Sequence, residues 1–205
     1  MLSFFSTLTW ISMGLLVPCI ALLLYFLARA LLLLGQDWQQ RQKDESLIAE
    51  LDGIEQVLVA NDFREYKTRV AEFEHKYSSP LAKHILTVMN EKASRSYRER
   101  QLGDFALYGE NELSLPRLLI RLGPSLGLIG TLIPMGPALA GLAAGDMVSL
   151  TQNMQVAFST TVLGIVIGSI GFILYQSRKR RFAQGMHRLE FVFQYMMESE
   201  KDETL

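Results

Sequence analysis

Along the chain, hydrophobic positions gather into long runs, separated by stretches in which charge and apolar residues alternate at helical spacing. The two most distinctive runs lie between Leu122 and Tyr175, reading LGPSLGLIGTLIPMGPALAGLAAG, then DMVSLTQN, then MQVAFSTTVLGIVIGSIGFILY. Asp146 is the only charged residue between Arg121 and Arg178. Each run has about 23 residues, or ~34 Å at ~1.5 Å per residue, enough to cross a hydrocarbon core of ~30 Å. Gly, Ala, Pro, Ser and Thr take positions where a simple lipid anchor carries Leu. The pattern predicts a membrane hairpin whose faces meet other helices or a polar path.

A third run, Trp10 to Leu34, is too long for the ~7–15-residue core of a signal peptide, and Met1 to Thr9 carry no Lys or Arg. It reads as a retained transmembrane helix, with Trp10 and Trp38 at its two interfaces and Arg29 near one end. Its leucines point to all sides, which predicts a lipid-facing, peripheral position. Between the runs the period is 3.6: Leu47, Ile48, Leu51, Ile54, Val57 and Leu58 share one face, and Phe63, Tyr66, Val70 and Phe73 repeat it after a break at Asn61-Asp62. Ser78-Ser79-Pro80 marks a second break, with Ser79 as N-cap and Pro80 in the first helical turn. The next helix carries Ile85, Val88 and Met89, followed by a strongly polar run through Arg100. The third span is expected to continue beyond the membrane, with Phe182, Met186, Leu189, Phe193 and Met197 on one face. No useful strand-like alternation occurs, so the fold class expected is all-α, an integral membrane protein with three transmembrane helices, a helical loop and a helical C-terminal tail.

Segregation of charge explains how 205 residues can be 49% hydrophobic and 20% charged. It also sets orientation. Of 20 Lys and Arg, twelve lie between Gln36 and Arg117 and six follow Tyr175; Arg29 and Arg121 account for the other two. The positive-inside rule then places the N-terminus outside, the long loop and tail in the cytoplasm, and the Asp146 turn outside. The organisation expected is an outer terminus 1–9, spans 10–34, 118–144 and 153–176, a cytoplasmic loop 35–117, an outer loop 145–152 and a cytoplasmic tail 177–205.

Catalytic chemistry finds little support. His75, His84 and His187 stand apart, with no metalloprotease, P-loop or serine-hydrolase pattern around them. Cys19, the single cysteine, has no partner for an intrachain disulfide and no neighbours for a metal site. A net charge of −1 gives no reason to expect nucleic acid. The expectation is no enzyme, no catalytic residue, no metal and no cofactor. Asp146 is expected chiefly to cap a helix over Ser149 after a turn at Gly145, and as a second reading to concentrate cations at an outer pore mouth.

Small residues recur at steps of three and four on both hairpin runs: Gly123, Gly127, Thr131, Pro134, Ala138 and Gly141 on the first, and Ala157, Thr161, Gly164, Gly168 and Gly171 on the second. Small faces let helix backbones approach closely. GPSLGLIGTLIPM resembles the second-span signature of the MotA/TolQ/ExbB ion-channel subunits, and MQVAFSTTVLGIVIGS resembles their third-span motif, an Ala followed four residues later by Thr and then Gly. Three spans make the chain most similar to the ExbB/TolQ branch.

The resemblance implies a homopentamer in the cell inner membrane around two copies of a single-span, Asp-bearing partner similar to ExbD, TolR or MotB. In such an assembly the second and third spans line a central pore that couples an ion gradient, most simply of protons, to mechanical work or transport. By motif position Thr131 and Thr161 become pore-facing hydroxyls, with Pro134 and Ala157 beside them on the ion path, while Gly127, Gly164, Gly168 and Gly171 form the packing face. In one place the chain departs from that pattern: Val156 stands where such relatives tend to carry Glu, and no Asp or Glu lies within any span. The titrating carboxylate is therefore expected from the partner. The alternative is a non-conducting structural membrane scaffold, whose small faces only pack helices and whose threonine hydroxyls bond their own helix.

Overall fold

The structure, a computed structural model, describes residues 10–11, 13–59, 63–77, 79–90 and 93–202. The outer terminus 1–9, the break at Asn61-Asp62, Ser78 and residues 203–205 lie outside the described residues, as do the side chains of Leu58, Phe63 and Tyr66. The described chain is all-α. It comprises α1 (Leu16–Val59), α2 (Phe63–Lys76), α3 (Pro80–Met89), α4 (Arg95–Ala143) and α5 (Met147–Asp202). Three of these, α1, α4 and α5, are long and apolar enough to cross a membrane.

Local chemistry explains the helix boundaries. Ser79 is extended, its hydroxyl accepts from the Ala82 N–H at 3.2 Å, and Pro80 opens α3 where its missing donor costs nothing. Helix α3 stops at Asn90, which turns extended, and α4 restarts after Ser94, whose carbonyl accepts from the N–H groups of Tyr97 at 3.0 Å and Arg98 at 3.1 Å. The hydrophobic period gives no sign of this break. Between α4 and α5 the turn is tight: Gly145 has φ 75, which favours glycine, and Asp146 Oδ1 accepts from the Ser149 N–H at 3.0 Å. The capping role expected of Asp146 is the one it has. Helix resumes at Met147, so most of the stretch 145–152 is helical rather than open loop.

The chain divides into two compact units, the first drawing on α1 up to Gln36 and on Ser114–Gln176, the second on Asp37–Leu113 and from Ser177 onward. In the first, one stripe of α1 (Cys19, Leu23, Ala30 and Leu33) packs with Leu119, Ile167 and Leu174. Leu22, Leu24, Leu31 and Leu32 on its other sides stay exposed. The leucines of the first span thus divide into a packed stripe and a broad uncovered face.

The second unit has a core of large side chains. Leu47, Leu51, Ile54, Phe73, Ile85 and Val88 are buried together with Phe105, Leu189 and Val192. Phe182, Met186, Leu189 and Phe193 take the inward face predicted for the tail, but Met196 packs on this core in place of Met197. A helix advances 100° per residue, so over several turns the inward position shifts by one residue from a strict step of four.

Candidate functional site

Within the first unit, α4 and α5 meet along their small residues. On α4 the buried positions include Gly123, Gly127, Gly130, Pro134, Ala138 and Gly141; on α5 they include Ala157, Thr160, Gly164, Ile167, Gly168 and Gly171. A Cβ added to Gly164 would stand 2.6 Å from the Gly123 carbonyl oxygen and 2.8 Å from the Gly127 Cα. One on Gly127 would stand 3.0 Å from the Thr160 carbonyl oxygen. A Cβ on Gly168 would stand 3.0 Å from the ring of Pro124, and one on Gly171 would stand 3.1 Å from the Pro116 carbonyl oxygen. Backbone therefore rests on backbone, which no residue with a side chain permits.

Prolines fit into α4 for a related reason. Pro116, Pro124, Pro134 and Pro137 all lie inside the helix, and each removes the bond that would reach the carbonyl four residues back. Membrane helices tolerate this where neighbouring groups occupy the freed carbonyl. For Pro116 that carbonyl belongs to Glu112, and Arg178 Nη1 donates to it at 3.2 Å.

The threonines differ in position. Thr131 and Thr161 are half-buried, at the rim of the glycine contact, whereas Pro134 and Ala157 are buried. Thr131 Oγ1 donates to the Leu128 carbonyl at 2.7 Å and Thr161 Oγ1 to that of Ala157 at 3.4 Å. A hydroxyl whose hydrogen is committed to its own helix still has lone pairs to accept with, so it can solvate a cation, a water or a protonated acid. The Thr161 bond is long and weak, leaving that hydroxyl the freer to turn. Val156 is 37% exposed and offers no titratable group. Thr160, absent from the motif reading, is 4% exposed, donates to the Ala157 carbonyl at 2.8 Å and fills the space facing Gly130. Its place in the steps 157, 160, 164 was the available signal.

In the second unit sits an ion-pair cluster that hydrophobic patterning does not reveal. Asp37 is 4% exposed. Its carboxylate pairs with Arg181, lies 3.4 Å from Arg178 Nε, and accepts from the Ser177 hydroxyl at 2.8 Å. Arg41 donates in turn to Ser177 Oγ at 3.1 Å, and Arg178 Nη1 pairs with Glu112 Oε2 at 2.8 Å. In sequence these residues come directly after the first and third apolar runs and just before the second. Among the described residues no group of His, Cys, Asp and Glu could hold a metal ion.

Three helices long and apolar enough to cross a membrane, two of them packed along small residues, define a multi-pass membrane protein. Residues 71–190, more than half of the chain, match the sequence profile of the MotA/TolQ/ExbB proton channel family, and the chain belongs to that family. No curated protein and no solved structure matches it. The family is one of channels and transporters rather than enzymes.

Proposed function

We propose that this chain is the pore-forming subunit of an ion-driven motor in the inner membrane, a homopentamer around a single-span, Asp-bearing partner present in two copies. The observation that carries the proposal is the hairpin: backbone-to-backbone packing leaves Thr131 and Thr161 at the rim, with lone pairs free to accept and no acid of their own to titrate. Such a surface solvates a proton carrier without competing for the proton. The carrier is then the partner's carboxylate, and the two hydroxyls are its wet contacts during each passage. Pro134 and Ala157 support this path from within the helix contact.

Orientation follows the basic residues, with the N-terminus outside and the spans 10–34, 118–144 and 153–176 crossing the bilayer. The broad uncovered face of α1 fits a peripheral place against lipid.

The test is a sealed-vesicle assay. The chain is co-purified with whatever single-span protein it retains in mild detergent, reconstituted, and challenged with a pH gradient under a clamped membrane potential. The proposal expects partner-dependent proton entry. Vesicles that stay tight with the partner present point instead to the structural scaffold, a reading favoured by one observation: both hydroxyls already donate to their own helix.

A further inference from the structure

The second unit encloses a cavity of about 640 Å³, within the roughly 300–1,000 Å³ typical of small-molecule sites. It is lined from all five helices and the α2–α3 junction. Ile48, Leu81, Leu113, Phe105 and Phe182 provide apolar wall, and the last two rings stack at 5.2 Å between centroids. Arg178, Arg181 and Lys76 add cations to the lining, and Glu112 adds an acid. One unassigned space thus combines apolar wall with cationic lining.

The two arginines belong to the cluster around Asp37. There Arg178 and Arg181 meet the Asp37 carboxylate, and Arg178 also meets Glu112. Arg178 is the informative member. Its side chain is 11% exposed, it commits Nη1 to Glu112, and its buried Nε makes no hydrogen bond among the described residues, despite lying 3.4 Å from Asp37 Oδ1. A buried guanidinium that lines the cavity and has one N–H without a hydrogen bond has donor chemistry suited to a phosphate or carboxylate oxygen. In sequence, Arg178 lies three residues beyond Tyr175, the end of the last apolar run, close to where the span reading places the headgroups.

We propose that this cavity binds a phosphate-bearing amphiphile, an anionic phospholipid of the adjoining leaflet, with its headgroup on Arg178 and Arg181 and an acyl chain along Ile48, Leu81 and Phe182. Basic pockets beside membrane helices recognise lipid headgroups through this combination of charge and apolar wall. The inference uses the span assignment but not the ion-conducting role, so a subunit that conducts nothing would still show it.

Native mass spectrometry of the full chain in neutral detergent tests the proposal, with dioleoyl phosphatidylglycerol, dioleoyl phosphatidylcholine and inorganic phosphate as probes. One phosphatidylglycerol per chain should be retained, with a preference over phosphatidylcholine of roughly fivefold for each headgroup-contacting cation. Arg178→Gln should lower that preference by about the same factor. Arg180→Gln, in the same basic run but not lining the cavity, should leave it unchanged. Ile48→Trp crowds the apolar wall without touching the ion pairs, and should reduce retention of phosphatidylglycerol even where Arg178→Gln fails to fold. Equal retention of both lipids by the unaltered chain would overturn the proposal. So would equal losses in the Arg178 and Arg180 variants, full retention by Ile48→Trp, or displacement of the lipid by inorganic phosphate alone, which would mark a phosphate site rather than a lipid site.

Discussion

Each of the two units of this protein is held together internally, and the two use opposite means. The hairpin of the first is joined where side chains are missing: Gly123, Gly127 and Gly164 bring two backbones to a distance at which even a methyl group would collide. The second is joined where side chains are largest, around Phe73, Leu51, Ile54 and Ile85, with buried ion pairs at Asp37 and Arg178. The solvent explains the difference. In water, burying a large apolar side chain contributes about 1.5–3 kcal/mol. Between lipid tails that gain disappears, and close van der Waals contact is what remains to drive helices together. One chain follows both rules, and each unit should fail under the substitution the other tolerates.

The largest expected effects are in the second unit. Phe73→Ala, at a fully buried position, should destabilise by about 3–5 kcal/mol, measured by thermal unfolding of the full chain in mild detergent. Asp37→Ala should cost about as much, ~3–5 kcal/mol, because it leaves buried guanidinium groups without their carboxylate. An Asp37 variant as stable as the parent would mean that the cluster is wet and of little consequence.

In the hairpin the sign of the size change reverses. Gly164→Leu should destabilise by about 3 kcal/mol, near the upper end of ordinary overpacking, since the obstacle is the Gly123 carbonyl rather than a movable side chain. Leu132→Ala, at a position 61% exposed, should stay within about 0.5 kcal/mol in the isolated chain. If that truncation instead matched Phe73→Ala in cost, the comparison between the units would fail.

The smallest effect is one of pH. Glu50 is held below its ordinary pKa of 4.5, first by the hydrogen bond from Lys76 and then by that from Tyr77; Lys76 is raised above its ordinary 10.5 chiefly by the same bond from Glu50. The Glu50 contribution is present above its unfolded pKa and lost as pH falls through the lower folded one. That of Lys76 is present below its unfolded pKa and lost as pH rises through the higher folded one. The melting-temperature difference between parent and Lys76→Met should therefore be small, flat from about pH 5 to about pH 10, and should shrink beyond either limit. A difference that changes within that range would exclude this pair as its source.

Much of the architecture was legible because it rests on periodicity and on capping chemistry that acts within a few residues. The Ser79 cap, the Asp146 cap, the Gly145 turn and the inward face of the tail through Phe193 are all of this kind. The restart of α4 after Ser94 was not legible, because a polar stretch carries no period to interrupt. Small-residue spacing located the helix contact but not which side of it each residue occupies. Thr160 and Thr161 are adjacent, 100° apart on the helix, and only the packed structure shows that the first fills the contact while the second stands at its rim. The Asp37 cluster was invisible for a different reason: its members are separated by up to 144 residues, and charged side chains at helical spacing read as solvated until a fold buries them.

In the proposed function Thr161 is a wet contact for a proton carrier supplied by the partner. The most direct measurement is proton flux in vesicles holding the partner-loaded complex, comparing the parent with Thr161→Ala at equal protein content. Removing one accepting hydroxyl, worth about 1 kcal/mol, should slow entry by roughly fivefold or more while the complex stays assembled. An intact Thr161→Ala complex that carries protons at the parental rate would contradict the role assigned to that residue and to the rim of the hairpin.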